Sequence, residues 1–209
     1  MGGLAKRAVD LAVAIPATAV AAPLMGAIAL WVRRDSPGPA LFRQERIGYG
    51  GRPFGLMKFR TMVVDAERMG TGLRTSADDP RITRAGRILR RTSLDELPQL
   101  LNVIRGDMSI VGPRPTVASQ VERYTPRQRR RLLARPGVTG LAQVRGRNAI
   151  PWSKRIEIDL EYVDGWSLAL DASILARTVA VVLNRSGTYT GEEGGFDLPP
   201  LAAAEEGDG

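Results

Sequence analysis

The segment RRTSLDELPQLLNVIRGDMSIVGPRP, residues 90–115, places two adjacent carboxylates, Asp95 and Glu96, inside a strongly basic stretch. Four arginines accompany the pair: Arg90, Arg91, Arg105 and Arg114. Ser93 and Glu96 have the spacing of a capping box, so stabilisation of a helix N-terminus is one explanation of the pair. The other is a site for an anion more strongly charged than two carboxylates, held by arginine and by a metal ion. The residues alone leave both explanations open.

The same segment predicts a helix, because apolar residues recur at helical spacing within residues 94–104. Pro98 restricts where this helix begins. With Ser93 as N-cap the proline falls one turn inside, whereas with Asp95 as N-cap it falls in the first turn, where its missing N–H costs nothing. Either phase puts Asp95 and Glu96 at a helix N-terminus, where backbone N–H groups can also bind a phosphate.

Composition narrows the possible functions. The chain has 209 residues, 44% of them hydrophobic, which fits one domain with a real core or at most two small ones. Its net charge of +8 indicates an anionic partner: nucleic acid, an acidic membrane surface or a phosphorylated substrate. The chain contains no Cys and no His, which excludes disulfides, thiol nucleophiles and His-dependent triads. Catalysis would therefore use carboxylate, hydroxyl, Lys or Arg groups, or a cation bound by oxygen ligands.

The N-terminal region predicts a membrane segment. Residues 11–32 carry no charge, and their number is sufficient for a helix to cross a bilayer core of ~30 Å. The uncharged run is too long for a typical cleaved signal peptide. Basic residues flank it on both sides, at Lys6-Arg7 and at Arg33-Arg34, so both ends favour the cytoplasmic face. We therefore predict a re-entrant helix that enters the membrane, breaks near Pro23 and returns. A straight spanning anchor with a proline kink is the alternative.

The remainder of the chain predicts an α/β fold. The runs LFRQERIG and RPFGLMKFRTM indicate a β-hairpin around the glycine-rich turn at residues 48–51. Thr125-Pro126 has the pattern of a helix start, and further helical patterns cover residues 152–163 and 172–183. Residues 65–91 are polar and typical of turns.

Three regions follow from these patterns. Residues 1–34 form a re-entrant membrane helix, and residues 35–190 form a compact cytosolic domain of helices and a short hairpin. Residues 191–209 are predicted to be a disordered tail.

The order of three motifs carries a resemblance to a known family. LMKFRTM, then residues 90–115, then RPGVTGLAQVRGRN follow a proline-containing apolar N-terminus. This arrangement resembles the bacterial sugar transferase family, the monotopic phosphoglycosyl transferases that act on polyprenyl phosphate, over roughly residues 6–186. Two positions depart from the family pattern: Ala22-Pro23 stands where many members have Ser-Pro, and Leu141 where many have Trp.

The resemblance implies a reaction. Family members transfer a sugar 1-phosphate from a UDP-sugar to undecaprenyl phosphate and release UMP, the first membrane step of glycoconjugate biosynthesis. The resemblance also implies the bacterial inner membrane, with the catalytic domain on the cytoplasmic face. Asp95 matches the family's nucleophile, which forms an aspartyl-phosphosugar intermediate. Glu96 matches a magnesium ligand, and both carboxylates are candidate ligands of Mg2+. The motif positions imply phosphate binding by four residues: Lys58, Arg90, Arg114 and Arg147.

Two other functions remain possible on the residues alone. A basic module could bind nucleic acid or anionic lipid without catalysis, although aromatic residues for base stacking make up only 5% of the chain. A glycosyl transferase would release UDP instead of UMP. The run Arg129-Arg130-Arg131 is predicted to face solvent or lipid headgroups and not to bind substrate.

Overall fold

The computed structural model describes residues 3–69, 79–146 and 150–183 of the chain. It contains helices and short strands, so the predicted mixed α/β class is confirmed. The helices are α1 Gly3–Asp35, α2 Arg84–Thr92, α3 Gln99–Arg105, α4 Ala118–Val121, α5 Pro126–Arg129, α6 Leu141–Arg145, α7 Trp152–Asp164 and α8 Leu168–Leu183. The strands are β1 Leu41–Ile47, β2 Pro53–Phe59, β3 Ser109–Val111 and β4 Gly137–Thr139. The predicted tail at residues 191–209 lies outside the described residues, and the three regional boundaries stay predictions.

The long helix α1 is fixed to the rest of the protein near both of its ends. Near its start, Lys6 Nζ donates to Asp171 Oδ2 of α8 at 2.7 Å, and both side chains are buried. One turn later Asp10 Oδ1 accepts hydrogen bonds from the β3 residues Ser109 and Ile110. At its end, Asp35 Oδ2 accepts from the backbone N–H of Ala85 in α2 at 2.9 Å. The two ends of α1 therefore rest on one folded body.

The middle of α1 has the length and composition to cross a membrane. Its 33 residues correspond to roughly 50 Å of helix, and its most apolar window has a mean hydropathy of 2.0. Only 11% of that window is buried against the protein. Pro16 and Pro23 lie inside one continuous helix. The break near Pro23 is not confirmed, and the re-entrant path stays a prediction.

The predicted hairpin is present. Strands β1 and β2 pair in antiparallel fashion from Leu41 opposite Phe59 to Ile47 opposite Pro53. The connection between them needs two left-handed residues, Gly50 at φ 65° and Gly51 at φ 77°, a conformation that glycine adopts without steric cost. The glycine-rich sequence thus makes a turn, as predicted from the residues.

A second strand pair joins the two most distinctive motifs. Strands β3 and β4 run parallel, with Ser109 opposite Gly137. Their backbones approach so closely that a Cβ on Gly137 would lie 2.1 Å from the backbone nitrogen of Gly112. The glycines of VGPRP and RPGVTG are therefore required by packing, because any side chain would separate the two segments. This pair was not predicted from the sequence.

Asp95 and Glu96 do not lie in a helix capped by Ser93 or by Asp95, the two starting points predicted from the sequence. Helix α2, in a region predicted to be turns, begins at the N-cap Thr83 and ends at Ser93, which has a left-handed conformation. Ser93 makes no side-chain cap, so the predicted capping box with Glu96 is wrong. Asp95 and Glu96 occupy a 3-10 turn, Leu94–Glu96, and α3 begins only at Gln99 after Pro98.

The other predicted helices are confirmed. Thr125 forms a capping box with Gln128 at the start of α5, with Pro126 in the first turn. Helix α5 then tightens into a 3-10 turn, Arg130–Leu133. Helices α7 and α8 cover the two C-terminal patterns. The central core is formed by residues of α1, β2, β3, α3, α6, α7 and α8: Ala14, Leu56, Val103, Met108, Ile110, Val111, Leu141, Ala142, Ile158, Tyr162 and Ile174.

Candidate functional site

The turn that carries Asp95 and Glu96 is anchored by the leucines around the pair. Leu94 and Leu97 pack against a buried cluster that α1, β2 and α2 form together: Ile28, Val32, Phe59, Ala85 and Leu89. A 3-10 turn of three residues has little stability of its own, so this apolar packing fixes its position. The two carboxylates are therefore held at the junction of α2 and α3, close to the end of the hairpin.

Asp95 lies among one other carboxylate and three cations. Its pKa is raised to about 6, because partial burial and the adjacent Glu96 disfavour its charge more strongly than Lys58, Arg90 and Arg114 favour it. An aspartate with this pKa still ionises near neutral pH. Its carboxylate is also partly desolvated, and a carboxylate that has lost part of its hydration is a stronger nucleophile than one fully in water.

Lys58 of β2 faces the same pair. Its pKa is lowered to about 8, first by burial and next by Arg46, while Asp95 opposes the shift. The ammonium nitrogen lies 5.2 Å from the centroid of the Phe42 ring on β1. Lys58 is thus a cation that still carries its proton at neutral pH and loses it slightly above.

The predicted arginines divide into two groups. Arg90 of α2 belongs to the site: its Nε donates to Thr61 Oγ1 at 2.8 Å, and its charge acts on both Asp95 and Lys58. Arg105 points its guanidinium to Met57 at the other end of α3, and Arg91 is exposed. Arg147 lies outside the described residues.

Arg114 completes the site from the segment that follows β3. Its Nη2 donates to Glu96 Oε1 at 2.9 Å, and its side chain is 52% exposed. The Glu96 carboxylate raises the pKa of Arg114, so the guanidinium stays charged. Five predicted site residues are therefore brought together from four separate segments of the chain: Lys58, Arg90, Asp95, Glu96 and Arg114.

Asn102 supports the site and was missed by sequence reasoning. It is completely buried, and its side chain bonds the free edge of β2, accepting from Met57 N at 3.0 Å and donating to Gly55 O at 2.8 Å. Since Lys58 follows Met57, this contact sets the position of Lys58 relative to α3. The one available signal was a single amide inside the apolar run LLNVI.

Arg131 was interpreted incorrectly. Arg129 and Arg130 are exposed, as predicted for the basic run, but Arg131 is only 3% exposed. It forms a buried ion pair with Asp159 of α7. No signal in the sequence pointed to this, because three consecutive arginines look alike until tertiary packing distinguishes them.

The carboxylate pair is compatible with Mg2+. Within the described residues no group of three or more acidic side chains could form a complete protein-made metal site. Mg2+, however, is commonly bound through one or two carboxylates together with substrate phosphates and water. Asp95 and Glu96 supply that number of ligands. The surrounding cations would donate hydrogen bonds to the phosphate oxygens that remain.

Comparison with known proteins shows what the whole chain is similar to. Residues 1–185 match the sequence profile of a family described as bacterial sugar transferase. The chain is 46% identical over 194 residues to the UDP-glucose:undecaprenyl-phosphate glucose-1-phosphate transferase of Caulobacter vibrioides, covering 89% of this chain and 72% of that protein. It is 49% identical over 156 residues to the sugar transferase EpsL of Bacillus subtilis, covering 75% and 76%. Identity to the undecaprenyl-phosphate galactose phosphotransferase of Salmonella typhimurium is 44%, over 88% of this chain and 41% of that protein.

Proposed function

This chain belongs to the bacterial sugar transferase family, and on that basis we propose that it is a phosphoglycosyl transferase that moves a sugar 1-phosphate from a UDP-sugar to undecaprenyl phosphate. The observation that carries the proposal is the convergence of Lys58, Arg90 and Arg114 on the Asp95-Glu96 pair. Such a site is suited to a diphosphate substrate, because fixed cations stabilise the charge that develops on its oxygens. The sugar is not specified by these contacts.

In the proposed mechanism Asp95 is the nucleophile. Its carboxylate oxygen attacks the phosphorus that bears the sugar, the phosphoanhydride bond to the other phosphate breaks, and UMP leaves with the bonding electron pair. The product is an aspartyl-phosphosugar acyl phosphate, which is a mixed anhydride. An oxygen of undecaprenyl phosphate then attacks the same phosphorus, which forms the polyprenyl diphosphate-sugar and restores the Asp95 carboxylate. Without His or Cys, a carboxylate is one of the few nucleophiles that this chain offers.

The cations have separate roles in this proposal. Arg114 uses its planar fork for two phosphate oxygens, an interaction that an ammonium group cannot reproduce. Arg90 and Lys58 neutralise the charge that develops on the transferred phosphate and on the departing UMP. Arg147 is proposed as a further phosphate ligand from its motif position alone.

Mg2+ is the proposed cofactor. Glu96 and Asp95 would hold it together with substrate phosphate oxygens, and it would supply additional positive charge to the diphosphate. Glu96 also accepts a hydrogen bond from Arg114, which fixes the arginine beside the pair independently of any metal.

We propose that the protein works at the cytoplasmic face of the bacterial inner membrane. The exposed apolar middle of α1 would lie in the bilayer, while both ends remain on the domain through Asp10 and Asp35. That arrangement supports a helix whose two ends are on one side of the membrane. A protein held at the membrane surface in this way could bind the polyprenyl phosphate headgroup from the bilayer and the water-soluble UDP-sugar from the cytoplasm.

The covalent step gives the test of this function. We expect UMP release from one member of a panel that begins with UDP-glucose and UDP-galactose, in the presence of Mg2+ and undecaprenyl phosphate. Without the lipid, intact mass spectrometry should detect one added sugar phosphate on the wild-type protein and none on Asp95→Asn, which keeps the size of the side chain but lacks the nucleophile.

Three results would contradict parts of this proposal. Release of UDP would indicate a glycosyl transferase. Full turnover by Asp95→Asn would remove the pair from the mechanism. Absence of nucleotide release, combined with nucleic-acid binding that weakens steeply with salt, would favour a basic binding module.

A further inference from the structure

Arg131 has a burial that the proposed chemistry does not explain. It lies in the 3-10 turn after α5, has no contact with Asp95 or Glu96, and is 3% exposed. A buried guanidinium is unfavourable unless its charge and donors are matched by partners. The partners of Arg131 therefore indicate what the residue does.

Its guanidinium joins three parts of the chain. Nη1 donates to the Tyr124 hydroxyl at 2.6 Å, and Nη2 donates to Asp159 Oδ2 of α7. Nη2 also donates to the backbone carbonyl of Arg114 at 3.0 Å. The rings of Tyr124 and Trp152 lie 5.6 and 5.7 Å from the guanidinium carbon and restrict its movement.

The contact with Arg114 completes a three-point attachment of its segment. The preceding carbonyl, of Pro113, accepts from Gly137 N at 2.9 Å, and the carbonyl of Thr116 accepts from Ile47 N at 2.8 Å. The bond from Arg131 lies between these two, at Arg114 itself. Two of the attachments come from backbone groups, whereas the middle one depends on a side chain.

The middle attachment matters because the Arg114 side chain is half exposed. Because a half-exposed guanidinium is confined by its surroundings less tightly than a buried one, the direction of its backbone limits where the fork can reach. A displacement of about 1 Å at such a group is enough to reduce a rate by about two orders of magnitude.

We infer that the buried Arg131–Asp159 pair is a positioning device that holds the Arg114 backbone so that its guanidinium meets the substrate diphosphate beside Asp95. Arg131 is thus a positioning residue and does not touch the substrate. This inference rests on the proposed function for the role of Arg114. It adds a dependence of phosphate binding on α7, which is remote from the carboxylate pair.

The chain offers a matched control for the test. Arg130 and Asp164 form an ion pair between the same 3-10 turn and the same helix α7, but their side chains are about half exposed. Arg131→Lys keeps the charge and loses the fork that serves Tyr124, Asp159 and Arg114 together. Asp159→Asn removes the negative partner at nearly constant size.

The measurement is single-turnover UMP release from the UDP-sugar without lipid acceptor, with thermal unfolding recorded for each variant. We expect Arg131→Lys and Asp159→Asn to lower the second-order rate constant of this UMP release by about ten-fold or more. Both variants should remain folded at the assay temperature. Arg130→Lys and Asp164→Asn should stay within about two-fold of wild type.

A double-substitution cycle separates positioning from general stability. In an Arg114→Lys background the fork is already lost, so Arg131→Lys should cost little more activity. The inference would be overturned if the double variant lost activity by the product of the two single losses. It would also be overturned if Arg131→Lys had a lower Tm but an unchanged rate constant of UMP release. If the pair variants do not fold, Tyr124→Phe enters the same cycle, with coupling to Arg114→Lys expected and independence contradicting it. Failure of the wild type to release UMP would instead refute the proposed function.

Discussion

Two side chains of opposite charge, Asp95 and Lys58, have pKa values displaced towards each other. The pKa of Asp95 is raised to about 6, and that of Lys58 is lowered to about 8. In the proposed mechanism, attack by Asp95 needs its carboxylate, which exists above the lower pKa. Charge neutralisation by Lys58 needs its ammonium, which exists below the upper pKa. The reactive combination of protonation states is therefore confined to the interval between them.

This interval sets the expected pH dependence. Single-turnover UMP release without lipid acceptor should rise through pH values near 6, as Asp95 loses its proton, and fall near 8, as Lys58 loses its own. The lipid phosphate, whose second pKa is about 6, is left out of the assay so that it does not obscure the lower limb.

Lys58→Arg provides the check on the upper limb, because guanidinium keeps its proton throughout this range. The variant should retain activity above pH 8, with its lower limb unchanged. An upper limb that stays in place in an active Lys58→Arg protein would assign that ionisation to another group.

The sequence motifs predicted most of the charged residues of the candidate site. They did not predict the buried residues that hold those charged residues in position. Asp95, Glu96, Arg90, Arg114 and Lys58 were found because their charges occur in distinctive motifs. Asn102 and Arg131 were not, because an amide in an apolar run and one arginine among three acquire their roles only through burial. Burial is decided by packing between distant segments, which local sequence does not contain.

At the scale of elements, the parallel contact of β3 with β4 brings two backbones very close together. Each strand has three residues, and the pair brings together segments 28 positions apart, as Ser109 and Gly137 show. Such short strands lack any periodic signal, so the pair could not be predicted from sequence. Helix α2 was missed for another reason: its RAGRILRRT sequence is so basic that its few apolar residues did not indicate a helix.

The close approach of these strands leads to a prediction of stability. Gly137→Ala places a methyl group 2.1 Å from the backbone nitrogen of Gly112, which neither strand can avoid without separating. We expect a loss of about 3 kcal/mol or more in the free energy of unfolding, measured by denaturant titration.

The control for this substitution is Gly55→Ala in β2, where a Cβ meets no atom within 4 Å. That variant should keep the stability of wild type within about 1 kcal/mol. Equal stability of the two variants would show that the strands do not approach each other as closely as described.

At the scale of the whole molecule, α1 is joined to the domain at both ends and is bare in the middle. The hydropathy of residues 11–32 predicted the membrane segment, and the flanking basic residues predicted that its ends share one side. The buried contacts of Lys6 and Asp10 were not predicted, because they join residues 165 and 99 positions apart, respectively.

This arrangement is open to a labelling experiment, made simpler because the chain has no native cysteine. Single cysteines introduced as Leu4→Cys and Pro37→Cys, both at exposed positions, should be equally shielded from an external, membrane-impermeant thiol reagent in intact cells. Both should react after the membrane is permeabilised. Labelling of one site alone before permeabilisation would establish a straight span.

The Lys6–Asp171 contact also has a consequence for the order of events during synthesis. The two residues are separated by 165 positions, so at ribosomal rates of about 5–20 residues per second Lys6 waits roughly ten to thirty seconds before its partner is made. The attachment of Asp35 to Ala85 spans only 50 positions and can form much earlier. The end of α1 that carries Asp35 can therefore dock on the domain well before the end that carries Lys6, whose contact is completed only when α8 leaves the exit tunnel.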